Sequence, residues 1–363
     1  MNKLKLGFAI GLILIVGTFA GLPGVVKAQS DEQVLVHIFP YDFAEFSYWT
    51  SDSYATVQWN GPINAGLLAR SAAADRAYAV DLAESMPTAN ADATEFTIEL
   101  KDDLKFNTGD DLTADDVVFS YNVLLTPTIN LNSYGGASVR FENNASIVKV
   151  DDLTVKFTLA DTYAFANGLF AYPIIDQEHF QDVYDDCVGG NATACDWNDV
   201  SFADGTAGPF QFESLDETNQ VLTIVKNPYY WNADEVWSSK IIYKFILDKS
   251  AAISELASGD ADILDATYKP LVNELDSVSG IIEKFVGDPA HSEMAFNHLN
   301  PYYGTGVSVP DTGEITNDAE QARLMRKAIS HVVNREFIAS EIEDGLSQPA
   351  SSTMPSASLG WRS

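Results

Sequence analysis

Residues Phe96 to Pro127 read FTIELKDDLKFNTGDDLTADDVVFSYNVLLTP. Phe96, Ile98 and Leu100 alternate with Thr97 and Glu99, the period-2 pattern of a half-buried strand. Asn107-Thr108-Gly109-Asp110 follows, a set of residues that reverses a chain cheaply. Thr113 stands three residues before Asp116, the spacing of a capping box, and Asp115 and Asp116 fall at the positive end of the helix dipole. Val117, Val118, Tyr121, Leu124 and Leu125 continue at helical spacing until Thr126-Pro127 stops the helix. The stretch predicts strand, tight turn and capped helix. Its acids are capping residues, and none of them is a candidate site.

The run from Leu100 to Leu125 also resembles a segment of family 5 extracellular solute-binding proteins, written L-R-x-G-V-x-F-x-D-G-x-x-[LF]-T-A-x-D-V-x-[FW]-S. Leu100, Phe106, Gly109, Leu112, Thr113, Ala114, Asp116, Val117, Phe119 and Ser120 fall on that pattern. Lys101 replaces the usual Arg, and Asp103 the usual Gly. Further segments are similar to the family in its own order. Val80-Asp81-Leu82-Ala83-Glu84-Ser85 resembles its P-x-L-A-E-S-W element, and Asp152 to Leu159 its D-x-x-T-V-x-F-x-L strand. From Gly205, GTAGPFQFESLDETNQVLTIVKNPYYW resembles G-T-G-P-Y followed by N-P-x-Y-W, with Ala207 as an extra residue. Met294-Ala295-Phe296-Asn297 resembles a strand that crosses into a second lobe. Arg326 to Glu336 resembles R-Q-A-[LI]-x-x-A-[IV]-D-R-E, with Asn334 as a competent N-cap for the next helix.

The resemblance implies an α/β chain with a two-lobed, periplasmic-binding-protein-like fold of the class II, cluster C type. Its first lobe would be complete in two subdomains and its second incomplete. The expected parts are an export signal over 1–28, the base of the first lobe over 29–67 and 199–287, its second subdomain over 68–198, and the start of the second lobe over 288–363. Family members run well beyond the position of Ser363, so a C-terminally truncated chain is expected.

Composition bounds the rest. The 363 residues are 46% hydrophobic and 11% aromatic, enough to bury sizeable cores. The formal net charge is −31, from 52 acidic and 21 basic residues, and it repels duplexes and anionic membrane surfaces. Lys3, Lys5 and the apolar run from Leu6 to Val26, closed by Val26-Lys27-Ala28, read as an export signal, with a retained N-terminal anchor as the alternative. In an exported chain, Cys187 and Cys195 across Gly189-Gly190-Asn191 read as a disulfide closing a surface loop. Asn144-Ala145-Ser146 and Asn191-Ala192-Thr193 are glycosylation sequons. Ile129 to Ser146, rich in Asn, Gly and Ser, reads as loop. A helix is expected from about Asp318 to Val333, with Leu324, Ala328, Ile329 and Val332 on one face.

No catalytic signature emerges: there is no G-x-S-x-G, no H-E-x-x-H and no phosphate-cradling glycine loop. The five histidines are scattered, and Asp260-Ala261-Asp262 lacks the glycine and glutamate of a calcium loop, so its acids read as turn and cap residues. No cofactor, metal or catalytic residue is assigned. The resemblance implies a monomeric binding protein of an ABC importer, exported to the periplasmic or extracellular face of the membrane. It would capture a short peptide by hinge closure and deliver it to the permease subunits. Oligosaccharide and metal-chelate ligands are alternatives within the family, and a secreted hydrolase is the alternative outside it. By position in the matching segments, Tyr41, Phe43, Tyr134, Phe210 and Asn297 are the candidate ligand contacts, with ordinary packing the competing reading for each.

Overall fold

The computed structural model describes residues 33–39, 43, 54–70, 78–127, 129, 134–141, 146–191, 195, 197, 203–265, 272–275, 278–282, 294–297, 300, 304, 319–343, 345 and 347–349. The expected export signal, Tyr41 and Asn144 lie outside these residues. The first part of the chain carries β1 (Val34–Phe39), α1 (Tyr54–Asn60), β2 (Leu68–Arg70), β3 (Tyr78–Val80), β4 (Thr88–Ala89) and β5 (Glu95–Glu99). Then come α2 (Ala114–Leu124), α3 (Tyr134–Phe141), β6 (Ser146–Asp151), β7 (Thr154–Thr158) and α4 (Gln177–Gly189). After these the chain forms β8 (Phe210–Asp216), β9 (Val221–Lys226), β10 (Lys240–Phe245), α5 (Lys249–Ser258) and β11 (Ile263–Leu264). The last helices are α6 (Val272–Leu275), α7 (Ala319–Val332) and α8 (Arg335–Phe337).

Two larger sheets and the short antiparallel pair β2-β3 organise these elements, as the α/β expectation requires. The first has the order β11-β1-β10-β9-β8. In it β1 runs parallel to β10, with Val34 opposite Lys240 and Phe39 opposite Phe245, and β9 returns antiparallel. The chain therefore leaves this sheet after β1 and comes back to it with β8. β1 is covered on both faces towards its C-terminal end: Leu35 and Phe39 meet Trp59, Tyr243 and Phe245, while Val36 and Ile38 meet Ala252 and Ala261 beside α5. A strand covered on both sides needs an apolar residue at nearly every position, which VLVHIF supplies.

The excursion between β1 and β8 builds the second sheet, with the antiparallel order β4-β5-β7-β6. Phe96 and Ile98 of β5 are buried while Thr97 and Glu99 face out. α2 covers this sheet, and Tyr121 sets its ring 4.9 Å from that of Phe157 and donates its hydroxyl proton to the Leu169 carbonyl at 2.6 Å. The capping box forms as expected: the Thr113 N–H donates to Asp116 Oδ2 at 2.8 Å, and the Asp115 N–H to Thr113 Oγ1 at 3.3 Å. Asp116 does more than cap. It is buried, and its Oδ1 also accepts the Gln177 N–H at 3.0 Å, tying the start of α4 to the start of α2. Burial pushes its carboxyl above the usual range, against the hydrogen bonds from Gln177 and Thr113 that hold it down.

Two local expectations are corrected. The segment read as loop between Ile129 and Ser146 contains α3, despite Gly135-Gly136. Ala137 and Phe141 are buried in the core around α2, with the Phe141 ring 6.0 Å from that of Tyr121. Tertiary burial outweighs the roughly 1 kcal/mol by which each glycine disfavours a helix. Met294–Asn297 has no regular structure, where a crossing strand was expected. The disulfide between Cys187 and Cys195 is present, but its first half is not on the surface. Cys187 is buried, and Trp197 Nε1 lies 3.0 Å from its sulfur.

Candidate functional site

The recognised segments converge where the two sheets meet. The Asn107 N–H donates to the Thr206 carbonyl at 2.8 Å, and Asn107 Oδ1 accepts the Thr206 N–H at 3.1 Å, so the turn before α2 is held by the start of the glycine-rich segment. Ala207, the extra residue, is buried in the core around α2, and the next residue already belongs to the other side. The Gly208 N–H donates to the Ile63 carbonyl at 3.0 Å, and a Cβ on Gly208 would stand 2.4 Å from Ile63 C. Only glycine fits this approach. Asn227, fully buried, closes the arrangement: its Nδ2 donates to the Gly208 carbonyl and its Oδ1 accepts the Tyr229 N–H, both at 2.9 Å.

Beside this seam lies a polar cluster that joins the β2-β3 pair and the end of β5 to the loop after β9. Asp81, at 8% exposure, follows β3; Tyr230 and Trp231 belong to the loop between β9 and β10. Asp81 Oδ1 accepts the Trp231 indole N–H at 2.9 Å and the Tyr230 hydroxyl at 3.3 Å. Lys101 donates to the Asp81 carbonyl and, at 2.5 Å, to the Ala83 carbonyl. Its ammonium lies 4.2 Å from the centre of the Trp231 ring, a cation–π contact. Burial raises the Asp81 carboxyl, opposed by Trp231, Tyr230 and Lys101. Burial lowers the Lys101 ammonium, opposed by Asp81 and Glu84, and burial also raises the Tyr230 phenol. These groups satisfy one another. The cluster holds no nucleophile beside a free base, so what it does chemically is fasten one sheet to the other.

The candidate ligand contacts distribute unevenly. Phe43 and Phe210 come together in one packed cluster. The Phe43 ring is 5.9 Å from Trp59 and 5.8 Å from Phe245, its N–H donates to Gln220 Oε1 at 2.9 Å, and Phe210 is 8% exposed. Tyr134 opens α3 on the other sheet, away from that pair. Asn297 lies in the irregular stretch, where its carbonyl accepts the Asn300 N–H at 2.9 Å. Tyr41 lies outside the described residues.

Sequence reasoning missed the Asp81–Lys101–Trp231 cluster. The acid was visible between apolar neighbours in Val80-Asp81-Leu82, a position where a charge is costly unless paired. Nothing in the sequence said that two of its partners, Tyr230 and Trp231, were 149 and 150 residues away. Among the described residues no three His, Cys, Asp or Glu side chains are placed to hold a metal, and no helix is long and apolar enough to cross a membrane.

A mixed sheet made of distant segments, with a second sheet inserted and fastened to it, is the architecture of the two-lobed solute-binding proteins. Residues 77–363 match the family described as bacterial extracellular solute-binding proteins, family 5 Middle, and the chain belongs to that family. It is 25% identical over 290 residues to the oligopeptide-binding protein AppA of Bacillus subtilis, covering 78% of this chain and 46% of that protein. The chain thus spans about half the length of the curated relatives it matches. Among solved structures, AppA of Bacillus subtilis in complex with a nonapeptide superposes with a TM-score of 0.72 at 22% identity, over 91% of this chain and 60% of that one. NikZ of Campylobacter jejuni in complex with Ni(L-His) superposes with a TM-score of 0.66 at 19% identity, over 88% and 57%. At these identities the likeness establishes the fold. The family's members are extracellular solute-binding proteins.

Proposed function

We propose that this protein is the solute-capturing component of an ABC importer, exported across the membrane, and that its ligand is a short peptide. The observation that carries the reading is the family match over residues 77–363. The likeness to a relative described as an oligopeptide-binding protein supports the choice of ligand. The protein works by hinge closure without a catalytic step: contacts from two lobes favour the closed state in proportion to their differential affinity. The lobe boundaries are those expected above, 29–67 with 199–287 as the base, 68–198 as the inserted subdomain, and 288–363 entering the second lobe. The permease subunits are its partners, and it acts as a monomer. Tyr41, Phe43, Tyr134, Phe210 and Asn297 are the proposed ligand contacts, with Phe43 and Phe210 packed in one cluster. The Asp81–Trp231 joint keeps the two subdomains rigid, so that closure is confined to the hinge.

The test is a thermal-shift screen of the exported protein against peptides, oligosaccharides and nickel–histidine chelates, with mass spectrometry of whatever is recovered. A peptide at 100 times its Kd should stabilise the protein by about 2.7 kcal/mol and come back unaltered at one per chain. A response confined to sugars or chelates would overturn the choice of ligand. A chemically altered ligand would overturn the binding reading in favour of a hydrolase.

A further inference from the structure

The disulfide loop carries a feature that solute capture leaves unused. α4 ends at Gly190, whose φ of +79° is a left-handed C-cap, and its N–H donates to the Cys187 carbonyl at 3.3 Å. Asn191 follows, the first residue of Asn191-Ala192-Thr193. Its backbone is pinned on both sides: its N–H donates to the Asp186 carbonyl at 2.9 Å, and its carbonyl accepts the Cys195 N–H at 3.0 Å. Its side chain is exposed, and among the described residues its Nδ2 donates to Asp186 Oδ1 at 3.1 Å. The neighbouring backbone is open: a Cβ built on Gly189 or Gly190 would meet nothing within 4 Å.

We propose that Asn191 is an N-glycan acceptor. The residue types are those of an acceptor sequon with a non-proline middle residue, and the acceptor residue is exposed just past the C-cap of α4, between two bridged cysteines. The same compartment that oxidises Cys187 and Cys195 is the one in which exported chains meet glycosyl transfer, so this inference rests on the export reading above. The donor class is a lipid-linked glycosyl phosphate. Asn191 Nδ2 forms a bond to the anomeric carbon, the bond from that carbon to the phosphate oxygen breaks, and the lipid phosphate leaves. Nδ2 gives up one proton, and nothing is oxidised or reduced. Among the described residues the side-chain contact to be rearranged is the hydrogen bond to Asp186, at the surface, so the glycan would sit at the end of α4 without entering the core around Phe180 and Trp197.

Cleavage before aspartate releases Asp186 to Cys195 as one short peptide holding both cysteines and Asn191. The protein is recovered from the exported and intracellular fractions of its source cells, reduced, alkylated and digested. In the exported fraction this peptide should carry an added glycan mass that fragmentation localises to Asn191. Asn191→Gln and Thr193→Ala should abolish the added mass, and Thr193→Ser should retain it. An exported peptide at its unmodified mass overturns the proposal while leaving export intact. An added mass that survives Thr193→Ala overturns it as well, because the transfer would then ignore the sequon. Protein found solely inside the cell overturns the export reading and this proposal together.

Discussion

Helices α2 and α7 were equally legible as helices and ended in opposite environments. Eight of the eleven residues of α2 are buried, among them Asp116 in its first turn and Ser120 in its middle. α7 is longer and carries the clearer apolar stripe, yet Ala322 is its only buried residue; Leu324 is 50% exposed and Val332 80%. What holds α7 in shape is local, for example the paired bonds from Arg323 to Glu320 at 2.7 and 2.6 Å. Periodicity reports which face of a helix is apolar. It does not report whether that face is covered, because burial depends on residues brought in from elsewhere in the chain.

The sharpest way to break this contrast is to remove apolar volume on each side of it. Phe157 lies fully buried between Tyr121 and Phe170, its ring 4.9 and 5.1 Å from theirs. Phe157→Ala should destabilise by about 3–5 kcal/mol, the range for an aromatic truncated inside a core. Leu324→Ala should change stability by less than about 0.5 kcal/mol, since half of Leu324 already meets water. Denaturant midpoints at constant slope would measure both. A loss at Leu324 comparable to that at Phe157 would mean that the face of α7 is covered in solution.

Next in size is the joint between the sheets. Asp81→Ala leaves the Trp231 and Tyr230 donors without their acceptor and should cost about 1–3 kcal/mol. Asp81→Asn keeps an oxygen for the indole and isolates the charge. The folded carboxyl is raised above its ordinary 3.8, so between 3.8 and that raised value the native state binds more protons than the unfolded one. Stability from this group therefore falls as pH rises through that window and is flat above it. The wild-type stability minus that of Asp81→Asn should decline over the same window. Asp116 is raised in both proteins and cancels in the difference. A difference independent of pH would show that Asp81 is not buried as a charge.

The inserted subdomain was readable because its signals are local. β5, its turn, the capping box and α2 follow one another within 32 residues, and each is specified by its own neighbours. The order of the five-stranded sheet was not readable, since β1 pairs with β10 across two hundred residues. α3 was hidden because two glycines and flanking polar residues outvoted Phe141, whose burial exists only once α2 is in place. The site divided in the same way. Phe210 was proposed by its place in a motif, whereas the Asp81–Trp231 bond joins two motifs that were read separately and never connected.

Smaller effects test whether the local signals themselves carry energy. Thr113→Ala removes the oxygen that caps Asp115 and should cost about 1 kcal/mol, with Thr113→Ser nearly neutral. The last and smallest concerns Asp103, which stands where the family pattern has glycine. Its φ is +55°, in the left-handed region that an L residue enters at a cost of about 1–2 kcal/mol, less for aspartate, whose short polar side chain bonds locally. Asp103→Gly removes that strain but gives the unfolded chain more freedom, worth about 0.5–1 kcal/mol in the opposite direction. The two terms leave a net gain of about 0.5 kcal/mol, seen as a rise in melting temperature of about 1–2 °C. Asp103→Val should go the other way, because a β-branched side chain is the least suited to this conformation. The position is exposed and touches no core, so the pair of variants measures backbone geometry alone. Equal melting temperatures for glycine and valine would place Asp103 outside the left-handed region in solution, and the turn before α2 would then owe its shape to Gly109, whose φ of +95° lies beneath the ring of Tyr229.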